Sequence, residues 1–245
     1  MRGYDSNSYG DAFADVYDDW YAEVTDVAAT VTKMSALAGP GGSVLELGVG
    51  TGRLAMPMAA AGLSVVGIDT SQAMLDRVDT SNAMLTVLRG DMVDDLPEQL
   101  FDACLVAYNT IFNLLDDDAQ HRCFRAVAKR LRPGGTFVVE AIVPDSEAPA
   151  GTDVSVRELA ADRVVLSVSD HRPDEQSTSG QFVEFTESGG VRLRPWSIRW
   201  ASPVQLDAMA HAAGLDLVER VADMSGTAFD DDSSHHVSVY RRTAS

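Results

Sequence analysis

Cysteine is nearly absent from this 245-residue chain: Cys104 and Cys123 are the only two, and both fall in apolar stretches. Free thiols of a cytosolic protein are therefore expected rather than a disulfide framework. No run approaches the ~18 apolar residues of a membrane span. The opening Met1-Arg2-Gly3-Tyr4-Asp5 holds no apolar signal core. The expectation is a soluble cytoplasmic protein with no membrane partner. Basic residues are also scarce, with 19 Lys and Arg against 37 Asp and Glu, a net charge of −18. Phosphate backbones are gripped by clustered Lys and Arg that release counterions, so nucleic acid is excluded as a partner and the substrate is expected to be neutral or cationic. Histidine supplies no metal-ligand spacing. His235 and His236 are adjacent on an expected strand and so point to opposite faces, and Asp230-Asp231-Asp232 has no bracketing ligand pattern; no metal is expected. No internal repeat or low-complexity tract is present.

Four regions are legible. Residues 1–40 form a helical cap: Phe13, Val16, Tyr17, Trp20, Val24, Val27 and Val31 recur at helical spacing, until Gly39-Pro40-Gly41-Gly42 ends the segment. From residue 41 to 145, short apolar runs alternate with helical periods, the pattern of a parallel sheet with crossover helices. Strands are expected at 44–47, 63–68, 84–88, 101–107 and 136–143, and helices at 54–61, 71–78 and from Asp116 to the Pro133-Gly134-Gly135 turn. Residues 146–200 alternate in a strand-like way at 163–169, 180–186 and 191–200, which predicts an antiparallel insert over the carboxyl edge of the sheet. Residues 201–245 return to the core. Ser202-Pro203-Val204-Gln205 is a capping-box signal for a helix ending at Gly214, and strands at 215–221 and 236–241 close the sheet.

The strongest chemical signal is Val44-Leu45-Glu46-Leu47-Gly48-Val49-Gly50-Thr51-Gly52-Arg53-Leu54. A strand running through a glycine loop into a helix lets a ligand approach the backbone at the carboxyl edge of the sheet. The spacing is G-x-G-x-G, whereas a dinucleotide pyrophosphate wants G-x-G-x-x-G. Val65-Val66-Gly67-Ile68-Asp69 then ends the second strand on a carboxylate suited to both hydroxyls of a ribose, although Asp69-Thr70-Ser71 also suits a helix cap. After the third strand, Asp91 of Gly90-Asp91-Met92 is placed either to accept from an adenine amino group, with Met92 against the ring, or to sit in a solvated turn.

Together the glycine loop, Asp69 and Gly90-Asp91-Met92 resemble the cofactor-binding series of class I S-adenosylmethionine-dependent methyltransferases. Phe101-Asp102-Ala103-Cys104-Leu105-Val106 is similar to that family's fourth-strand motif, and Arg132-Pro133-Gly134-Gly135-Thr136-Phe137 to the turn before its fifth strand. The resemblance implies a Rossmann-like, doubly wound α/β fold with a seven-stranded sheet. It also implies S-adenosyl-L-methionine as cofactor, held by Tyr17, Glu46, Gly48, Gly50, Gly52, Arg53, Asp69, Thr70, Met74, Asp91, Met92 and Tyr108. A narrower resemblance, carried by Tyr17-Asp18-Asp19-Trp20-Tyr21, Asn109-Thr110-Ile111-Phe112-Asn113-Leu114 and the β-rich insert, is to aminosugar and lincosamide N-methyltransferases. It implies a small-molecule acceptor, an amine on an amino-sugar or antibiotic-like scaffold. Some aminosugar members carry a histidine where this chain has Asn113, so no histidine base is implied.

Methyl transfer from a sulfonium is an in-line displacement, in which the protein mainly aligns the reacting atoms. An amine must be neutral to attack, whereas a hydroxyl needs a base more urgently. Tyr9 and Tyr17 are the candidates to close the site, with Tyr9, Tyr17 and Asn113 as catalytic residues and Tyr9, Phe112 and Asn113 lining the acceptor pocket. Tyr17 and Trp20 also suit plain packing on the apolar helix face. The alternatives are an O-methyltransferase on a sugar or polyketide hydroxyl and a non-catalytic cofactor-binding module. Exposed strand edges of the insert offer a route to a homo-oligomer.

Overall fold

The computed structural model describes residues 1–22, 24–145 and 147–243. It begins with α1 (Ser8–Phe13), α2 (Tyr17–Trp20) and α3 (Val27–Ala38). The apolar periodicity from Phe13 to Val31 predicted a helical segment with one apolar face, and the structure divides it among three helices. Asp26 takes an extended conformation and its carboxylate accepts the Ala29 N–H at 2.9 Å, which starts a new helix. The apolar residues before it turn onto a separate cluster around Phe13, Tyr21 and Met74.

β1 (Ser43–Leu47), α4 (Ala55–Ala60), β2 (Ser64–Asp69), α5 (Gln72–Leu75), β3 (Leu85–Arg89), β4 (Phe101–Val106), α6 (Asp117–Arg130) and β5 (Leu131–Ile142) follow. Side chains of β1 and β4 are buried on both faces, as strands between two helical layers must be. Leu45, Leu47, Cys104, Phe124 and Phe137 pack on one side, and Met34, Val44, Met58, Val65 and Leu105 on the other. Both cysteines are free and buried. Burial pushes the Cys123 thiol up to about 12. Asp116 caps α6 by accepting the Ala119 N–H at 2.7 Å.

β6 (Gly151–Leu159), β7 (Arg163–Arg172), β8 (Ser177–Thr186) and β9 (Val191–Arg199) form a second, antiparallel sheet. β6 is an addition to the three insert strands expected. Only Val154, Val156 and Leu159 mark it in sequence, and its ladder to β7 makes it a strand. α7 (Pro203–Ala212) starts with the full capping box, Ser202 N–H to Gln205 Oε1 at 2.8 Å and Gln205 N–H to Ser202 Oγ at 3.3 Å. β10 (Leu215–Val221) and β11 (His235–Arg242) complete the first sheet.

That sheet has seven strands in the order β10-β11-β5-β4-β1-β2-β3, parallel from β5 to β3 and antiparallel at β11 and β10. The chain leaves β1 towards β2 and β3, then returns to β4 on its other side. A crevice opens beyond the carboxyl ends of β1 and β4 for this reason. The cap lies across that end. Ser71 Oγ donates to Asp11 at 2.6 Å, Thr51 Oγ1 donates to Asp18 at 2.5 Å, and Gly10 sits so close to Ser71 that a Cβ there would be 2.4 Å from its Cβ. The insert braces the cap from outside through Arg194, which bonds Asp15 at 2.6 Å and Glu184 at 2.8 Å. No helix among the described residues is long and apolar enough to cross a membrane.

Candidate functional site

A cavity of about 300 Å³ lies at the carboxyl ends of β1, β2 and β3. Its floor and walls come from Gly48 and Gly50, from Asp69, Thr70 and Met74, and from Gly90, Asp91 and Met92. Tyr4, Asp5, Ser6, Tyr9, Gly10 and Tyr17 close it from the cap. The glycine loop is tied to β2 by the Gly48 and Val49 N–H groups, which donate to Ile68 O at 2.8 and 3.0 Å. Gly48 has φ 66°, and a Cβ there would lie 2.3 Å from Thr110 Cγ2. Only glycine permits both the left-handed backbone and that approach.

Asp69 accepts the Gly50 N–H and the Ser71 N–H, both at 2.9 Å. It is not the cap of α5; Ser71 is, its hydroxyl accepting the Met74 N–H at 3.3 Å. Burial raises the Asp69 carboxyl above the usual range, against these backbone donors. Asp91 Oδ1 accepts from Val93 and Asp94 N–H at 2.7 and 3.1 Å, so the turn reading holds for that oxygen. Its carboxylate also lines the cavity beside Met92. Thr70 Oγ1 donates to Ser6 O at 3.1 Å, which holds the N-terminal strap over the opening.

Tyr9 stacks on Phe13 with ring centroids 4.4 Å apart, and Tyr17 lies 4.9 Å from Tyr21. Burial pushes both phenols well above their ordinary pKa, Arg53 opposing the effect at Tyr17. Both therefore stay protonated at neutral pH. Trp20 packs edge-on to Phe182 at 5.7 Å, beneath the Arg157 guanidinium.

The segment after β4 divides sharply. Residues Thr110–Asn113 form one 3₁₀ turn, in which residues three apart share a side. Thr110 and Asn113 face the cavity, while Ile111 and Phe112 are wholly buried in the core. The expected pocket role of Phe112 is corrected accordingly; Leu114 and Leu115 line the cavity instead. Tyr108 also stands away from the lining, with its ring 5.6 Å from Tyr21. Tyr108 and Asn109 have φ 44° and 64°, two consecutive left-handed residues. Glu140 holds them, its carboxylate accepting the Tyr108 N–H at 3.0 Å and its carbonyl the Asn109 N–H at 3.1 Å. Such strain costs on the order of 1–3 kcal/mol per residue and tends to gather at sites.

Glu46, Gly52 and Arg53 do not line the cavity. Glu46 is buried, with Oε2 lacking a partner, and Arg53 Nε and Nη1 are likewise buried without one. Sequence reasoning overlooked Tyr4, Asp5 and Ser6. The signal available was local: Asp5 accepts the Asn7 and Ser8 N–H groups at 3.0 Å, a capping turn ahead of α1. His236 is wholly buried and His235 exposed, as opposite faces of a strand require. Among the described residues no three His, Cys, Asp or Glu side chains gather as a ligand set.

Residues 44–135 match the family model of a methyltransferase domain. The chain is 40% identical to the CcbJ methyltransferase from Streptomyces caelestis, with a TM-score of 0.91 over 98% of this chain and 100% of that one. It is 28% identical to a cypemycin N-terminal methyltransferase from Streptomyces sp over 82% of this chain and 87% of the relative. An amino pentose methyltransferase from Micromonospora echinaspora, CalS10, solved with S-adenosylmethionine bound, shares the fold at 20% identity and a TM-score of 0.70, covering 99% of this chain and all of the other.

The residues present fit S-adenosylmethionine. A Cβ on Gly50 would meet nothing within 4 Å, Asp69 and Asp91 supply two carboxylates along one cavity, and outside its lining Glu46 and Arg53 hold buried polar atoms without partners, suited to an amino-acid end. Burial raises the Glu46 carboxyl to about 8 from 4.5, partly offset by Arg53. A folded pKa raised in this way gives stability that is fully present below 4.5 and lost as pH rises through 8. Glu46→Gln is therefore expected to gain stability over the cofactor-free parent, by at least ~1 kcal/mol at alkaline pH and by nothing near pH 4. Denaturant titration across pH reads the difference, and a constant gap would refute the linkage. The glycine loop, its two downstream carboxylates, the seven-stranded sheet and the likeness along the whole chain agree: the protein belongs to the class I S-adenosylmethionine-dependent methyltransferases.

Proposed function

We propose that this enzyme methylates an amine nitrogen of a small natural-product molecule, an amino sugar or antibiotic-like scaffold. The observation that carries the reading is the chemistry where cap and 3₁₀ turn meet. Tyr9, Tyr17 and Asn113 offer neutral hydrogen-bonding groups there, with both phenols held protonated by burial. These three groups orient an acceptor but take no proton from it, which suits a nucleophile that arrives already neutral. The cofactor supplies a methyl group activated by a positive sulfur. Tyr9, Tyr17 and Asn113 would hold the acceptor nitrogen towards that methyl group, and with no base among these three the proton of the product ammonium would pass to water. Placement by Tyr9, Tyr17 and Asn113 contributes through alignment.

The relative that methylates the N-terminus of cypemycin favours a second acceptor of the same class, a peptide α-amine. With a set of amines of graded basicity, kcat/KM is expected to rise tenfold per pH unit up to each acceptor's own pKa. A profile that stays put when the acceptor changes would point to an enzymic base and to the hydroxyl alternative. Mass spectrometry of products from peptide and amino-sugar acceptors separates the two amine readings.

A further inference from the structure

The insert sheet turns a polar surface inward. Its outward face carries the apolar row Val156, Leu166, Val183 and Leu193, and a bulge after Val156 returns Leu159 to that side. On β8 and β9 the inward face is aromatic and basic, with Phe182, Arg194 and Trp196 meeting Phe13, Trp20 and Asp15 of the cap. On β6 and β7 the same face is hydroxylic. Asp153 stands opposite Ser169, Ser155 opposite Ser167, and His171 opposite Thr178. A sheet face turned to its own chain is ordinarily the apolar one. Serines and a carboxylate facing inward therefore need a polar occupant.

Register connects this surface to the reacting end of the site. Phe182 lies directly across from Ser167, and its ring is 5.9 Å from Phe13, on which Tyr9 stacks. Along β9, Arg194 meets the cap, and Ile198 packs on the core cluster that holds Phe112. Trp196 stands between those two, hence between the cap with Tyr9 and the turn with Asn113. Its indole lies against Gly180, where a Cβ would be 2.6 Å from Cζ2 and 2.7 Å from Cε2. Gly180 is opposite Ser169, so the indole reaches over β8 towards that serine. Trp196 Nε1 and His171 Nε2 are buried without partners among the described residues, while His171 Nδ1 meets Thr178 Oγ1 at 2.9 Å. Ser155 is exposed and Ser167 and Ser169 are half-buried, as is Trp196.

We propose that this inward surface binds a hydroxylated ring of the acceptor, such as a pyranose, and holds its amine towards Tyr9 and Asn113; the inference rests on the amine reading above. Asp153, Ser155, Ser167 and Ser169 supply the hydrogen bonds, the carboxylate accepting from neighbouring hydroxyls and the serines donating or accepting. Trp196 supplies an apolar ring with a polar tip, the match for a sugar's C–H face and hydroxyl rim. Few, well-placed polar groups on a rigid sheet fix the orientation of such a ligand. A peptide acceptor fits this surface less well. Peptides are commonly held by main-chain pairing, and the backbone groups of the interior strands β7 and β8 are already spent in their ladders.

Calorimetric titration of the full chain loaded with S-adenosylhomocysteine tests this with three amines. They are a methyl glucopyranoside whose exocyclic hydroxyl is replaced by an amine, cyclohexylmethylamine as the same ring without hydroxyls, and trialanine. The sugar is expected to bind at least ~100-fold more tightly than the carbocycle, since several hydrogen bonds of ~3–10-fold each are lost together. Ser167→Ala with Ser169→Ala should weaken the sugar ~10–100-fold while leaving the carbocycle, S-adenosylhomocysteine binding and circular dichroism unchanged. Trp196→Phe keeps an aromatic ring but removes the N–H donor, and should cost the sugar ~3–10-fold. Equal binding of sugar and carbocycle, no binding of the sugar, or serine variants that bind it like the parent would each overturn the proposal. A preference for trialanine would overturn it too, yet leave amine methylation standing. With S-adenosylmethionine in place, a sugar product methylated on oxygen would instead sink the amine reading and leave the hydroxyl-binding surface intact.

Discussion

Asp69→Ala is expected to weaken S-adenosylhomocysteine binding by two to three orders of magnitude. Two effects combine. A carboxylate accepting two ribose hydroxyls contributes charge-assisted hydrogen bonds of ~1.5–3 kcal/mol each. The same carboxylate accepts the Gly50 and Ser71 N–H groups, so its loss also releases the glycine loop from the end of β2. Asp69→Asn keeps one acceptor for the loop but loses the charge, and should fall between parent and alanine. Calorimetric titration of the three proteins reads the series. Undiminished binding by the alanine variant would place the ribose elsewhere and remove the main support for the cofactor's orientation. Loss of binding in the asparagine variant as complete as in the alanine one would show that charge, not loop order, dominates.

Arg194→Ala is expected to cost about 3–5 kcal/mol of stability, the usual consequence of leaving a buried partner uncompensated. Arg194 is 1% exposed and binds the carboxylates of Asp15 and Glu184, the carbonyl of Ala12 and the face of Trp20. Glu184 is itself buried, with Arg163 at 3.5 Å as its other cation. For a chain of this size the melting temperature should drop by roughly 10 °C. Arg192→Ala is the matched comparison. Arg192 also meets Asp15, at 2.7 Å, but from an exposed position, so its removal should cost only ~0–1 kcal/mol. The Arg194 variant should also bind cofactor more weakly, because α1 carries Tyr9 and Gly10 over the cavity and Asp15 follows directly. Equal melting temperatures for the two variants would mean that the insert does not brace the cap through this ion pair.

Where the physics is local, the sequence alone was enough. The G-x-G-x-G loop between a buried strand and a helix, a carboxylate ending the next strand, and the alternation of runs that makes a doubly wound sheet are each written in a few adjacent residues. Capping chemistry is the same: Asp116, and Ser202 with Gln205, set helix starts within one turn. The S-adenosylmethionine fold and cofactor were legible for that reason.

Tertiary structure decided what periodicity leaves degenerate. An apolar stripe from Phe13 to Val31 suits one helix or several, and the choice rested on Asp26 and on a surface for Phe13 to meet. Phe112 and Asn113 are neighbours in sequence, yet the 3₁₀ turn sends one to the core and the other to the cavity. The strained Tyr108–Asn109 turn exists because Glu140, far along the chain, accepts its N–H groups. β6 is a strand because β7 offers it a ladder, and its bulge completes an apolar face that no single strand displays. The common reason is that a residue's neighbours in sequence determine its backbone preference and its spacing. Which of its sides meets core, cavity or water depends on segments brought up from elsewhere.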